Sequence, residues 1–215
     1  LEITWYGHGC FRITERGQTS VVTDPCQPAA AASERKLRGD LVTVSHHEAE
    51  RDVAQLIRGQ RYVVRGAGEY EVGDLFVTGI SLHVYDEGQG RVRDNTAYLF
   101  AYPNQLRVLH LGKLWQAPEQ ATIEQFGEVQ VLLVPVDGGR GLGSDQMADV
   151  IALVEPNYVV PMHYAPDGST AEADSVERFL NVMGVSQPEE RETLRVTASG
   201  LPEQTQVVLL RANLA

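Results

Sequence analysis

The sequence predicts an α/β fold, α+β in the broader sense, of two sheets with helices over their outer faces. Short β-branched and aromatic runs fill the first half. Apolar runs alternate with helical periods in the second half, and no repeat or low-complexity tract interrupts either, beyond four alanines at 29–32. A chain of 215 residues, 43% hydrophobic and 22% charged, has the ordinary composition of one globular domain spanning 1–215.

In chain order, "ITWY", "CFRIT" and "SVVTD" read as a meander of short strands punctuated by Gly and Pro. "QPAAAASERKLRGD" breaks that pattern before "LVTV", whose four apolar-side residues suit a strand buried on both faces. A helix should follow. Ser45 and Glu48 have capping-box spacing, Val53, Leu56 and Ile57 share a helical face, and Gly59 ends the period. Strands resume in "YVV", in the hairpin "YEVGDLFVTGI" with a Gly-Asp turn, in "TAYLFAY" and in "LRVLHL". Helices near Pro118 to Phe126, Asp145 to Val154 and Ala171 to Met183 then alternate with "VQVLLVPV", "YVVPMHY" and "TQVVLLRA".

A net charge of −11 repels phosphate backbones and anionic lipid, which argues against nucleic-acid and membrane-surface partners. No run approaches a membrane span and no leader pattern precedes the first strand. Two cysteines, Cys10 and Cys26, in such a chain are read as reduced thiols, so the expectation is a cytoplasmic protein. Lysine occurs only at Lys36 and Lys113 against sixteen arginines. Each lysine therefore invites a question.

Four of the six histidines, His8, His46, His110 and His163, stand at or just past strand ends, where separate segments of a layered fold converge on one rim. Around them the sequence resembles the metallo-β-lactamase-fold hydrolases, in the branch of ascorbate-phosphate lactonase-like proteins. "GHGCFRI", "VTDP", "LVTVSH", "GAGEYEVGDLFVTGI", "RDNTAYLF", "HLGKL", "VQVLLVPVDGG" and "PNYVVPMHY" resemble segments of that family in the same order. The resemblance implies a four-layer αββα metallo-β-lactamase sandwich with a metal site at one edge between the sheets.

That family's chemistry uses H-x-H-x-D-H, a distal histidine, a bridging aspartate in H-L-G-D and a histidine in P-M-H-Y. Aligned on it, "SHHEAER" keeps His46 but places Glu48, Glu50 and Arg51 at the next three ligand positions. Lys113 replaces the bridging aspartate, Tyr85 falls at the distal histidine with His83 two residues earlier, and His163 remains. Arginine offers no lone pair and stays charged, so it coordinates nothing. Two cations against Glu48 and Glu50 make a pocket that is neutral without an ion, which predicts salt bridges among these four. The favoured reading is thus a metal-free protein that is catalytically silent or binds a small anionic ligand, with homo-oligomerisation left open. The alternative is a hydrolase holding one zinc or other divalent transition metal at His46, Glu48, Glu50 and His163.

Glu50 and Lys113 are the catalytic candidates; His8, Asp24, Glu48, Arg51, Tyr85, His110 and Asp137 are candidates for the site edge. Each has a plainer role beside it. Glu48 completes a helix cap, Glu50 and Arg51 belong to a solvated helix start, and His8 and His110 pack or support. Asp24 and Asp137 end strands and orient a neighbouring histidine or nothing in particular.

Overall fold

The computed structural model describes residues 1–25, 37–46, 57–86, 90–136, 141–164 and 173–213. Within them the chain forms β1 (Glu2–Trp5), β2 (Phe11–Thr14), β3 (Val21–Thr23), β4 (Leu41–Val44), β5 (Tyr62–Arg65), β6 (Gly68–Val72), β7 (Leu75–Ser81), β8 (Val84–Asp86), β9 (Arg91–Arg93), β10 (Thr96–Ala101) and β11 (Arg107–His110). There follow α1 (Gln120–Phe126), β12 (Val131–Pro135), α2 (Ser144–Val154), β13 (Tyr158–Met162), α3 (Ala173–Val182), β14 (Glu189–Arg191), β15 (Thr193–Arg195) and β16 (Gln206–Leu210). One sheet has the order β15-β1-β2-β3-β4-β5 and the other β14-β16-β13-β12-β11-β10-β7-β6, while β8 and β9 form a separate ribbon.

The first sheet alternates as period-2 geometry requires. Ile3, Trp5, Phe11, Ile13, Val21 and Leu41 join the main core shared with the second sheet, whereas Cys10, Val22, Val42 and Val44 form a second cluster with Leu37 and Ile57. All four residues of β4 are consequently buried. Strands β3, β4 and β5 pair in parallel, which demands crossover connections. Those connections, including the helix read after Ser45, fall largely on 26–36 and 47–56, outside the described residues.

In the second sheet β11, β12, β13 and β16 are parallel and are joined through α1, α2 and α3. Because the crossovers advance in one direction along the sheet, right-handed connections put the three helices on the same face. Helix α2 buries Met147, Val150, Ile151 and Val154, the spacing of one apolar stripe, and packs against α1 and α3. Helix α1 begins at Gln120, two residues past the expected Pro118, buries Ile123 and Phe126, and stops at Gly127, whose φ of 59° suits glycine.

Three pieces of sheet were not anticipated. β14 and β15 are short and charged, and they reach their partners from far along the chain: Leu194 pairs with Ile3, Glu190 with Leu209. Edge strands carry such charges to discourage further pairing, so their sequences lack an apolar alternation. The β8–β9 ribbon, with Tyr85 opposite Val92, has no apolar face buried against a sheet to betray it. None of the described helices is long and apolar enough to cross a membrane.

The two sheets are tied by Tyr98 of β10, which is fully buried and donates its hydroxyl to the Val44 carbonyl at 3.0 Å. Replacing Tyr98→Phe strands that carbonyl and is expected to lower unfolding free energy by about 1 to 2 kcal/mol, read from the urea midpoint at unchanged slope.

Candidate functional site

Parallel strands end on one edge, and there the loops after β1, β3, β4, β11 and β13 meet. They bring together His8, Asp24, Ser45, His46, His110, Lys113 and His163. Backbone strain marks the same place: among the described residues five non-glycine residues have positive φ, and three of them are His8 (49°), Asp24 (35°) and His163 (63°). Such conformations persist where the surroundings hold them, and here they turn side chains at strand ends inward.

The centre is Asp24, 3% exposed. Its Oδ1 accepts the Ser45 N–H at 2.7 Å and its Oδ2 accepts the Ser45 hydroxyl. Ser45 Oγ, having donated, accepts from His46 Nδ1 at 2.8 Å. This chain of bonds makes His46 Nδ1 the donor to Ser45. His110 is committed on both sides, donating Nε2–H to the Gly9 carbonyl at 2.9 Å and accepting the Gly112 N–H on Nδ1 at 3.1 Å. Complete burial pushes its pKa below the ordinary histidine value, and the nearby Asp24 carboxylate only partly opposes that.

Gly9 matters because nothing larger fits: a Cβ there would lie 3.0 Å from His163 Nε2 and 3.2 Å from Asp24 Oδ2. The carbonyl of His8 accepts both Trp5 Nε1–H at 2.8 Å and the His163 N–H at 3.3 Å, so the turn after β1 is stitched to the end of β13. His8's own ring is exposed, 6.3 Å from that of His163 between centroids. His46 and His163 meet edge to face at 6.2 Å. His163 Nε2 is enclosed and has no hydrogen-bond partner. Burial first, then the neighbouring imidazoles and the Lys113 ammonium, hold the His163 pKa well below the usual value.

Lys113 reaches the site on a loop that Asn95 fixes. Asn95, fully buried, donates Nδ2–H to the Leu111 carbonyl at 2.8 Å and accepts the Lys113 N–H on Oδ1 at 2.9 Å. Its own N–H goes to His83 Nδ1 at 3.1 Å, and the next residue, Thr96, donates its N–H to the Ser45 carbonyl at 2.8 Å. Gly112 (φ 64°) is squeezed between Asn95 and Ser45, with Ser45 Oγ 2.8 Å from where a Cβ would stand.

The described side chains do not by themselves assemble a dinuclear metal centre. Both His110 nitrogens are engaged by Gly9 and Gly112, Asp24 is bonded to Ser45, and among the described residues no group of three or more His, Cys, Asp or Glu is placed to hold a metal ion. His163 Nε2 is buried without a hydrogen-bond partner, with the Lys113 ammonium nearby. Tyr85 lies on the ribbon with 62% of its surface exposed. Glu48, Glu50, Arg51 and Asp137, and with them the four-residue salt-bridge network, fall outside the described residues. The sequence reading missed Asn95 and gave Ser45 only a capping role. A buried-strand run preceded directly by Asn is the one signal that singles Asn95 out, since a polar side chain there must find partners.

Residues 2–163 match the family model of the β-lactamase superfamily domain. The chain belongs to that family. A UPF0173 protein of Pyrococcus furiosus is 29% identical over 193 residues, covering 82% of this chain and 88% of that protein. A protein of Koribacter versatilis named UPF0173 metal-dependent hydrolase is 23% identical, covering 90% and 97%. Among solved structures, a candidate Zn-dependent hydrolase of the metallo-β-lactamase superfamily from Thermotoga maritima superposes with a TM-score of 0.78 at 28% identity, covering 97% of both chains. The two-sheet architecture is therefore the α/β sandwich of that superfamily.

Within this family member Gly112→Ala combines a strained φ with overlap on Asn95 and Ser45, and is expected to destabilise by about 2 to 4 kcal/mol in chemical denaturation. A second test is pH. The folded-state pKa of His110 is depressed, so the unfolded chain binds more protons below about pH 6.5, and the stability contributed by neutral His110 is lost as pH falls below that value. Melting temperature should drop between pH 7 and pH 5.5, and less steeply in His110→Gln, compared by calorimetry in matched buffers.

Proposed function

We propose that the protein is a metal-free, cytoplasmic relative of the metallo-β-lactamase-fold hydrolases, a pseudoenzyme whose cleft binds a small anionic ligand instead of activating water on two metals. The observation that carries this reading is Lys113: a cation stands on the loop after β11, at the position aligned with the bridging aspartate, close enough to His163 to disfavour its protonation. A divalent ion about 4 Å from one fixed ammonium meets a repulsion on the order of 8 kcal/mol at an effective dielectric near 20. From the sequence, Arg51 adds a second cation at a former ligand position, and Glu48 and Glu50 balance the pair.

With the metals gone, the remaining groups favour recognition. The ring nitrogens of His46 and His163 are the polar groups beside Lys113, which supplies the charge that selects an anion. Asp24 and Ser45 keep the His46 ring oriented, a role that serves ligand binding as well as catalysis.

A second reading, a hydrolase with one divalent ion at His46, Glu48, Glu50 and His163, draws on the enclosed and unpartnered Nε2 of His163 and on relatives named metal-dependent hydrolase. Elemental analysis of protein purified without chelators separates the two. Substoichiometric zinc, manganese and iron in the wild type, with more zinc retained by Lys113→Asp, is the expected result. Near-stoichiometric metal in the wild type overturns the metal-free reading.

A further inference from the structure

We infer that the chain self-associates head to tail, an arginine patch on the outer face of the first sheet seating the acidic outer helices of a second copy. The contact is independent of what the cleft binds. Arg38 and Arg58 are partners in a parallel bridge, so two like charges spring from neighbouring backbone. Both are exposed, as is Arg61, whose N–H donates to the Asp40 carbonyl at 2.8 Å. Arg12, half-buried, donates Nε–H to the Arg38 carbonyl at 2.8 Å and brings a fourth guanidinium to the same segment. Arg12 pairs with Val22 and Arg61 lies two residues before Val63, and both valines pack in the cluster on the side of this sheet away from the main core.

These charges are gathered without matching local compensation. One carboxylate, Asp40, lies among them, and its Oδ2 accepts the Ser20 N–H at 3.1 Å and the Ser20 hydroxyl at 2.6 Å. Among the described residues no side chain forms an ion pair or hydrogen bond with the guanidinium of Arg38, Arg58 or Arg61. A chain with 29 acidic residues does not lack partners for them, so their openness is a property of this surface. Tyr62, 52% exposed, follows Arg61, and arginine with tyrosine is the pair of residue types that protein interfaces concentrate.

The complement is on the same molecule. Residues 1–66 carry nine Lys or Arg against eight Asp or Glu, and residues 67–215 nine against twenty-one, so the excess negative charge belongs to the part of the chain that builds the second sheet and its helices. Asp149 of α2 and Glu155 at its C-terminal cap are exposed and have no side-chain partner among the described residues. Leu153, one turn after Asp149, is 59% exposed. Each surface thus combines one sign of charge with an exposed apolar side chain, which is the composition of complementary interface halves. Repulsion between two bodies of charge −11 is screened beyond about 8 Å at physiological ionic strength, whereas facing opposite charges act within that distance. The two surfaces lie on opposite sides of the sandwich, so the contact is heterologous and repeats from copy to copy as a ring or an open chain.

Sedimentation velocity of the intact protein at about 50 mM and about 500 mM salt tests this. At low salt the weight-average mass should rise about twofold or more over about a hundredfold increase in concentration, and at high salt it should return to the monomer. Arg38→Gln/Arg58→Gln and Asp149→Asn/Glu155→Gln should each remain monomeric at low salt with unchanged melting temperature, because each lacks one of the two surfaces. Mixed in equal amounts they should form a dimer that grows no further, since one intact patch then meets one intact helical face. A wild type that stays monomeric at low salt overturns the proposal, and binding of a poly-glutamate peptide or a duplex oligonucleotide by that monomer, read by fluorescence anisotropy, assigns the patch to another occupant. Self-association that survives in either variant alone overturns it as well.

Discussion

Asp24 is a carboxylate taken almost wholly out of water at the end of a strand, and its charge is met by two hydrogen bonds from one residue, Ser45. Everything at the edge of the sandwich depends on that bond pair. It fixes the end of β4 against the end of β3, sets the His46 proton on Nδ1, and leaves the space beside Gly9 into which His163 fits. Charge-assisted bonds to a buried carboxylate are among the stronger ones a fold can make, so the site is rigid where the loops that carry it would otherwise be soft.

That rigidity is separable from metal chemistry. Hydrogen bonds that orient a ligating imidazole in a metal enzyme also orient one that meets an organic ligand, and the strained turns at His8, Asp24 and His163 are held by packing and backbone bonds. The loop that carries Lys113 is held in a defined conformation by Asn95 and Gly112.

The same loop links the cleft to a surface whose chemistry is distinct from it. Trp115 stands two residues beyond Lys113 and receives Arg93 from the ribbon, so cations from two elements meet on one ring. Asn95 spans both through main-chain and side-chain bonds, and its burial makes each of those bonds hard to exchange for water.

The sequence by itself determined the strand-then-helix order, the fully buried β4 and β12, the stripe of α2 and the family. Each of these is written in local periodicity or in ordered motifs. It also placed His8, His46, His110 and His163 at strand ends, because a histidine just past an apolar run is visible without knowing its neighbours. Tertiary structure alone decided that Asp24 serves Ser45, that His110 is consumed by Gly9 and Gly112, and that Asn95 couples three loops. These partners are 12 or more residues apart in the chain or depend on positive φ, and no spacing encodes them. The edge strands β14 and β15 were illegible for a related reason: charged residues paired to distant strands carry no apolar period, so only the closed sheets reveal them.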